Sequence, residues 1–217
     1  MGNHGSAHAA VDGNYQGPPH IHHMDSTTAY HAAKLGMWLF LGTEILLFAV
    51  LFSGFFLYRW MYLEDYHSGS HHLNWKLGAL NTLVLLFSSF TAARAVSAAQ
   101  EADNKKVCRL IWVTIACGFI FLVVKYFEYS GKFAAGLWPG KENYNEYANF
   151  LGFYFCMTGL HGLHVILGMG LLYWVLTKAQ KNRFSGAYYT PVEIGALYWH
   201  LVDLVWIYLF PLLYLVG

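Results

Sequence analysis

Residues 197–210 read LYWHLVDLVWIYLF. Nearly every side chain in this stretch suits lipid, yet His200 and Asp203 stand one helical turn apart in its middle. A helix rises about 1.5 Å per residue, so roughly 20 apolar residues cross a hydrocarbon core of about 30 Å. Four further stretches have this character. With the last one, the apolar runs lie near 35–58, 77–99, 110–128, 148–176 and 193–216.

Composition agrees. Hydrophobic residues make up 57% of the chain and charged residues 12%, whereas soluble domains carry about a quarter charged residues. The expected fold is an all-α integral membrane protein, a bundle of five transmembrane helices over residues 30–217. Residues 1–29 form a polar tail rich in Gly and His, without the basic start and apolar stretch of a signal peptide. His4, His8, His20, His22 and His23 are scattered along it and read as solubilising rather than metal-binding. His67, His71 and His72 in EDYHSGSHH (64–72) read as part of a solvated loop, because no acids or cysteines at metal-ligand spacing accompany them.

Orientation follows from the basic residues. Lys34, Lys105, Lys106, Arg109, Lys178, Lys181 and Arg183 gather at one set of helix ends. Arg59, Lys76, Lys132 and Lys141 are dispersed at the other, among Glu64, Asp65, Glu142 and Glu146. The positive-inside rule puts the N-terminus in the cytoplasm, and five crossings bring the C-terminus outside. Trp38, Trp60, Trp75 and Trp138 read as interface anchors.

Several chemistries are excluded. Cys108, Cys117 and Cys156 form no CxxC, no haem-attachment motif and no zinc spacing. They read as small apolar fillers. No Gly-rich phosphate loop is present, and a net charge of +1 gives no sign of a nucleic-acid partner.

What remains is the ionisable set inside the runs. A charge at the centre of a span costs roughly 2.5–3.5 kcal/mol on insertion scales, so each such group needs a partner or a purpose. The candidates are Glu44, His161, His164, His200 and Asp203, with Glu128 and Glu193 nearer helix ends. Residues three, four or seven apart share a helix face. Glu193, His200 and Asp203 therefore form one stripe beside Ala196, and His161 and His164 form another beside Gly168. Both stripes are expected to face the bundle interior. Three readings compete: polar packing contacts, haem ligation by His161, His164 and His200 as in a b-type membrane cytochrome, and a proton path using Glu44, His200 and Asp203. A proton-coupled transporter on Glu44 and Asp203 is a weaker alternative, since no internal repeat is evident.

Taken together, five segments resemble one family, subunit III of the haem–copper respiratory oxidases. They are KLGMWLFLGTEILLF (34–48), LNTLVLLFSSFTA (80–92), KYFEY (125–129), GLHGLHVILG (159–168) and YWHLVDLVWIYLF (198–210). HGLHV and WHxVDxVW at this separation are its most specific elements. The resemblance implies an accessory subunit of a proton-pumping terminal oxidase that reduces oxygen to water. Haem and copper are then expected in subunits I and II, with no cofactor held by this chain. It also implies packing against subunit I, contacts with subunit II and small subunits, support of proton uptake, bound phospholipid and a place in a bacterial inner membrane; a larger respiratory supercomplex is a further candidate partner, which the sequence does not assign. Glu44, Glu128, His161, His164, Glu193, His200 and Asp203 become packing or lipid-cleft residues, with His200 and Asp203 expected to pair with each other or with the His161–His164 helix. Longer family members have two helices before the glutamate helix, where this chain has its polar tail. Quinol oxidases and an accessory subunit of nitric oxide reductases share the fold.

Overall fold

The computed structural model describes residues 26–70, 73–139, 144, 147–185 and 188–215. The histidines of the N-terminal tail, His71, His72, Lys141, Glu142 and Glu146 lie outside the described residues. Six helices appear among those described: α1 (Ser26–Met61), α2 (Leu63–Ser70), α3 (Trp75–Gln100), α4 (Asn104–Ala134), α5 (Ala148–Gln180) and α6 (Thr190–Tyr214). All but α2 are long and apolar enough to cross a membrane. The chain is an all-helical, multi-pass membrane protein.

Each long helix extends past the apolar segment that marks it at one end or both, because local chemistry sets its ends. Asp103 accepts from the Lys106 amide at 3.0 Å, which starts α4 ahead of its apolar run. Asn74 does the same for α3 through the Lys76 amide at 3.1 Å. Pro191, whose missing N–H costs nothing in a first turn, opens α6. Three helices stop alike. Ala102, Gly136 and Asn182 have φ of 58°, 73° and 50°, and the following amides return to Ala98, Lys132 and Lys178. These are Schellman terminations, and only one of them uses glycine.

Helices α3, α4, α5 and α6 form a closed ring, each packed on two neighbours, while α1 leans on α5 and α6 from outside. Small residues permit the closest approach. Ala92, Ala95, Ala98 and Ala99 of α3 are fully buried, and lipid drives no association that packing does not supply. Across one end, the Asn104 amide both donates to the Phe184 carbonyl at 2.9 Å and accepts from its N–H at 3.3 Å. That side chain fastens the α5–α6 connection to the start of α4.

The described part of the 64–72 stretch, residues 64–70, departs from the expected loop. Residues 63–70 coil into α2, and Tyr66 is buried with its ring 5.0 Å from Phe55 and 5.6 Å from Phe150. The aromatic contact pulls a polar segment onto the bundle. Of the cysteines, Cys117 is buried, but Cys108 is half-buried and Cys156 is exposed, so the filler reading holds for Cys117 alone. The four anchor tryptophans are exposed.

Candidate functional site: polar contacts between the helices

Glu44 belongs to α1 and His164 to α5. Their side chains meet with Nε2 2.8 Å from Oε2, and Phe48 packs edge-on against the imidazole at 5.2 Å. Nδ1 of His164 lies 2.8 Å from the Leu160 carbonyl. A carbonyl only accepts, so Nδ1 carries a proton. The contact with Glu44 then holds a second proton, on either the carboxyl or Nε2. No opposite charge is near Glu44 in sequence; the fold supplies its partner from another helix.

The two predicted stripes do not stay together. Glu193 turns to α1, where Oε1 meets Lys34 Nζ at 2.7 Å and Oε2 accepts from the Tyr30 hydroxyl at 3.1 Å. His200 turns to α3, its Nδ1 2.6 Å from Ser89 Oγ. Asp203 faces the interior at 2% exposure, and neither oxygen has a hydrogen-bond partner among the described residues. The expected His200–Asp203 pair is therefore not formed. His161 is fully buried between Phe121 at 5.4 Å and Trp206 at 5.2 Å, with both ring nitrogens unpartnered among the described residues. The reason is angular. Three residues along a helix turn the side chain by about 300° and seven by about 700°. A stripe thus fans over tens of degrees, and on a helix ringed by neighbours each part meets a different one.

Of a second cluster the sequence reading named only Glu128. Lys125 and Glu128, three residues apart on α4, pair at 3.0 Å while both are buried. Glu128 Oε1 also accepts from the hydroxyls of Tyr154 at 3.0 Å and Tyr214 at 2.7 Å. Lys125 Nζ reaches the Tyr214 oxygen at 2.6 Å and sits 4.8 Å from the Trp206 ring centre. Lys132 approaches Glu128 at 4.0 Å from the next turn. Every polar atom of this carboxylate has a partner, which is what a buried charge requires. KYFEY carried the signal, a lysine three residues before a glutamate in an apolar run. Tyr154 and Tyr214 come from distant segments and carry no local mark.

Tryptophans complete the polar framework. Trp199 Nε1 donates to Ser88 Oγ at 2.9 Å and Trp206 Nε1 to Thr82 Oγ1 at 3.1 Å, both binding α6 to α3. Thr91 and Thr114 meet at 2.8 Å between α3 and α4.

The haem-ligand alternative fares poorly against this geometry. His161 contacts α4 and α6, His164 contacts α1, and His200 contacts α3, so the three imidazoles diverge. Among the described residues, no group of three or more His, Cys, Asp or Glu side chains is placed to hold a metal ion.

Comparison with known proteins adds the family. The model of the family described as cytochrome c oxidase subunit III matches residues 9–217. A cytochrome c oxidase subunit 3 of Thermostichus vulcanus is 33% identical over 182 residues, covering 83% of this chain and 86% of that one. One from Corynebacterium diphtheriae is 34% identical, covering 84% and 87%. A quinol oxidase subunit 3 of Bacillus spizizenii is 31% identical over 191 residues, covering 84% and 86%. With five spanning helices in a ring-and-outrigger arrangement and a family match over nearly the whole sequence, the chain belongs to the cytochrome c oxidase subunit III family.

Proposed function

We propose that this chain is the accessory subunit III of a haem–copper terminal oxidase, holding no redox centre and serving to brace the catalytic subunit. One observation carries the reading beyond family membership. Most of the ionisable side chains within the spans join one helix to another, as in Glu44–His164, Lys34–Glu193 and Lys125–Glu128–Tyr214. Such contacts suit a scaffold. Subunit I is the main partner, with subunit II beside it; haem and copper belong to those chains. The basic helix ends face the cytoplasm of a bacterial inner membrane. Phospholipid covers the outward apolar face of α1, where Leu39, Leu46 and Val50 are exposed.

The test is purification of the oxidase in mild detergent, followed by a reduced-minus-oxidised spectrum of the complex and of this chain separated from it. Haem bands should stay with the complex and be absent from the isolated chain. A haem band retained by the isolated chain would overturn the reading. Deleting the chain should leave the oxidase's spectrum intact and shorten its active life during turnover.

The likeness to a quinol oxidase subunit 3 supports a second reading of the electron donor. Reconstituting the purified complex with reduced cytochrome c or with a quinol decides between them.

A further inference from the structure

Among the polar groups of the spans, His200 is placed unlike the others. Its Nδ1 is held by Ser89 at 2.6 Å. Its Nε2 makes no hydrogen bond among the described residues, and it is not enclosed: the residue is half-buried and this atom keeps some exposure. The residue stands ten positions into α6 from Thr190, about 15 Å from the helix end at ~1.5 Å per residue. This depth is hydrocarbon, where neither water nor a lipid headgroup offers a hydrogen bond.

The surroundings of that nitrogen form a strip. Leu204, Ile207 and Tyr208 follow His200 at spacings of four, seven and eight and are exposed. On one side the strip is bounded by α3, through Ser89. On the other stands α1, which meets α6 through Lys34–Glu193 and the stacked Phe40–Tyr198 rings. It is therefore an apolar trough with one polar atom at mid-membrane depth.

We propose that this trough is the seat of a transmembrane helix from a partner subunit, which presents a hydroxyl, carboxyl or amide group to His200 Nε2. Ser89 sets the terms of recognition. If its hydroxyl donates to Nδ1, Nε2 bears the proton and donates outward; if it accepts, Nε2 accepts. A side chain able both to give and to take a hydrogen bond satisfies either case. An acyl chain satisfies neither, which is why a helix rather than lipid occupies the strip. The inference rests on the accessory-subunit reading above and names the face through which that assembly is made.

The experiment uses the whole oxidase, isolated through a tag on subunit I, with the amount of this chain retained as the readout. His200→Leu removes the polar atom, and Leu204→Trp adds bulk to the strip without touching the interior. Ile120→Trp on α4 and Leu167→Trp on α5 place the same bulk on exposed faces elsewhere. Both strip variants should lower retention at least fivefold while the other two leave it unchanged. Equal retention in all four, or loss with the α4 or α5 variant alone, overturns the proposal. A photoreactive residue at position 208 should crosslink to a partner chain, and adducts with lipid alone would also overturn it. Should the unaltered chain fail to accompany subunit I at all, it is the accessory-subunit reading that fails.

Discussion

Glu44 Oε2 and His164 Nε2 stand 2.8 Å apart although 120 residues separate them in the chain. The contact ties α1, the helix outside the ring, to α5 at mid-height. Lys34–Glu193 ties it at one end, and the Phe55, Tyr58 and Phe153 rings at the other. Lipid gives α1 no reason to prefer the ring over its surroundings, so these contacts decide where it sits.

Glu44→Leu and His164→Leu should each loosen α1, by about 0.6–1.7 kcal/mol for a hydrogen bond between membrane helices. The double variant should cost less than the two singles together. Detergent unfolding of the four proteins measures the coupling, and strict additivity would show that the pair contributes nothing. A packing role also predicts that Glu44→Gln leaves the proton-to-electron stoichiometry of the assembled oxidase unchanged.

Removing one member of the Lys125–Glu128 pair leaves a buried charge without its counterpart. Glu128→Gln should therefore destabilise the chain by about 3–5 kcal/mol. Lys125→Met combined with Glu128→Gln should recover part of that loss. Thermal unfolding in detergent is the measurement, and a double variant worse than the sum of its parts would contradict the pairing.

Trp199 is fully buried and wedged against two glycines. A Cβ added at Gly168 would lie 2.9 Å from its ring, and one at Gly118 would lie 2.7 Å from it. Gly168→Ala and Gly118→Ala should each cost about 1–3 kcal/mol through overpacking. Gly170, two residues from Gly168, has nothing within 4 Å of such a Cβ. There alanine should be neutral or add up to about 1 kcal/mol of stability. Finding all three substitutions equivalent would refute the packing of the tryptophan.

Tyr66 lies in α2, outside the spans, with its hydroxyl buried and unpartnered among the described residues. Burial, aided by Tyr58 and Asp65, pushes its phenol well above the ordinary tyrosine value. Below a pH of about 10 the phenol is neutral folded or unfolded, and pH has no leverage through it. Above that, the unfolded chain gives up a proton that the folded chain keeps, so stability falls as pH rises. Tyr66→Phe should blunt this alkaline loss and be harmless near neutrality, because it removes a polar atom that had no partner. Melting temperatures of both proteins across the alkaline range would show it; parallel curves would count against it.

The five spans were legible in the sequence because crossing hydrocarbon imposes a length and an apolar composition that a single segment must meet by itself. Helix ends were legible only in part. Asp103 and Pro191 mark starts, but Ala102 takes a left-handed conformation that its side chain does not advertise. The short helix α2 was hidden inside a polar stretch, since what orders it is Tyr66 against Phe55 and Phe150.

The candidate residues divide in the same way. That Glu44, Glu128, His161, His164, Glu193, His200 and Asp203 are singular could be read from their cost in a span, which belongs to each residue alone. Which of them meet could not. Helical spacing put His200 with Asp203 and Glu193, whereas the ring of neighbours gives His200 to Ser89 and Glu193 to Lys34. Tyr154 and Tyr214, 26 and 86 residues from Glu128, reach its carboxylate only once α4, α5 and α6 are side by side. The sequence by itself determined the membrane class, the number of crossings and the family, all of which rest on local composition and motif. The tertiary structure alone decided the partners of the polar groups, because a hydrogen bond acts over about 3 Å and depends on helices that no local pattern positions.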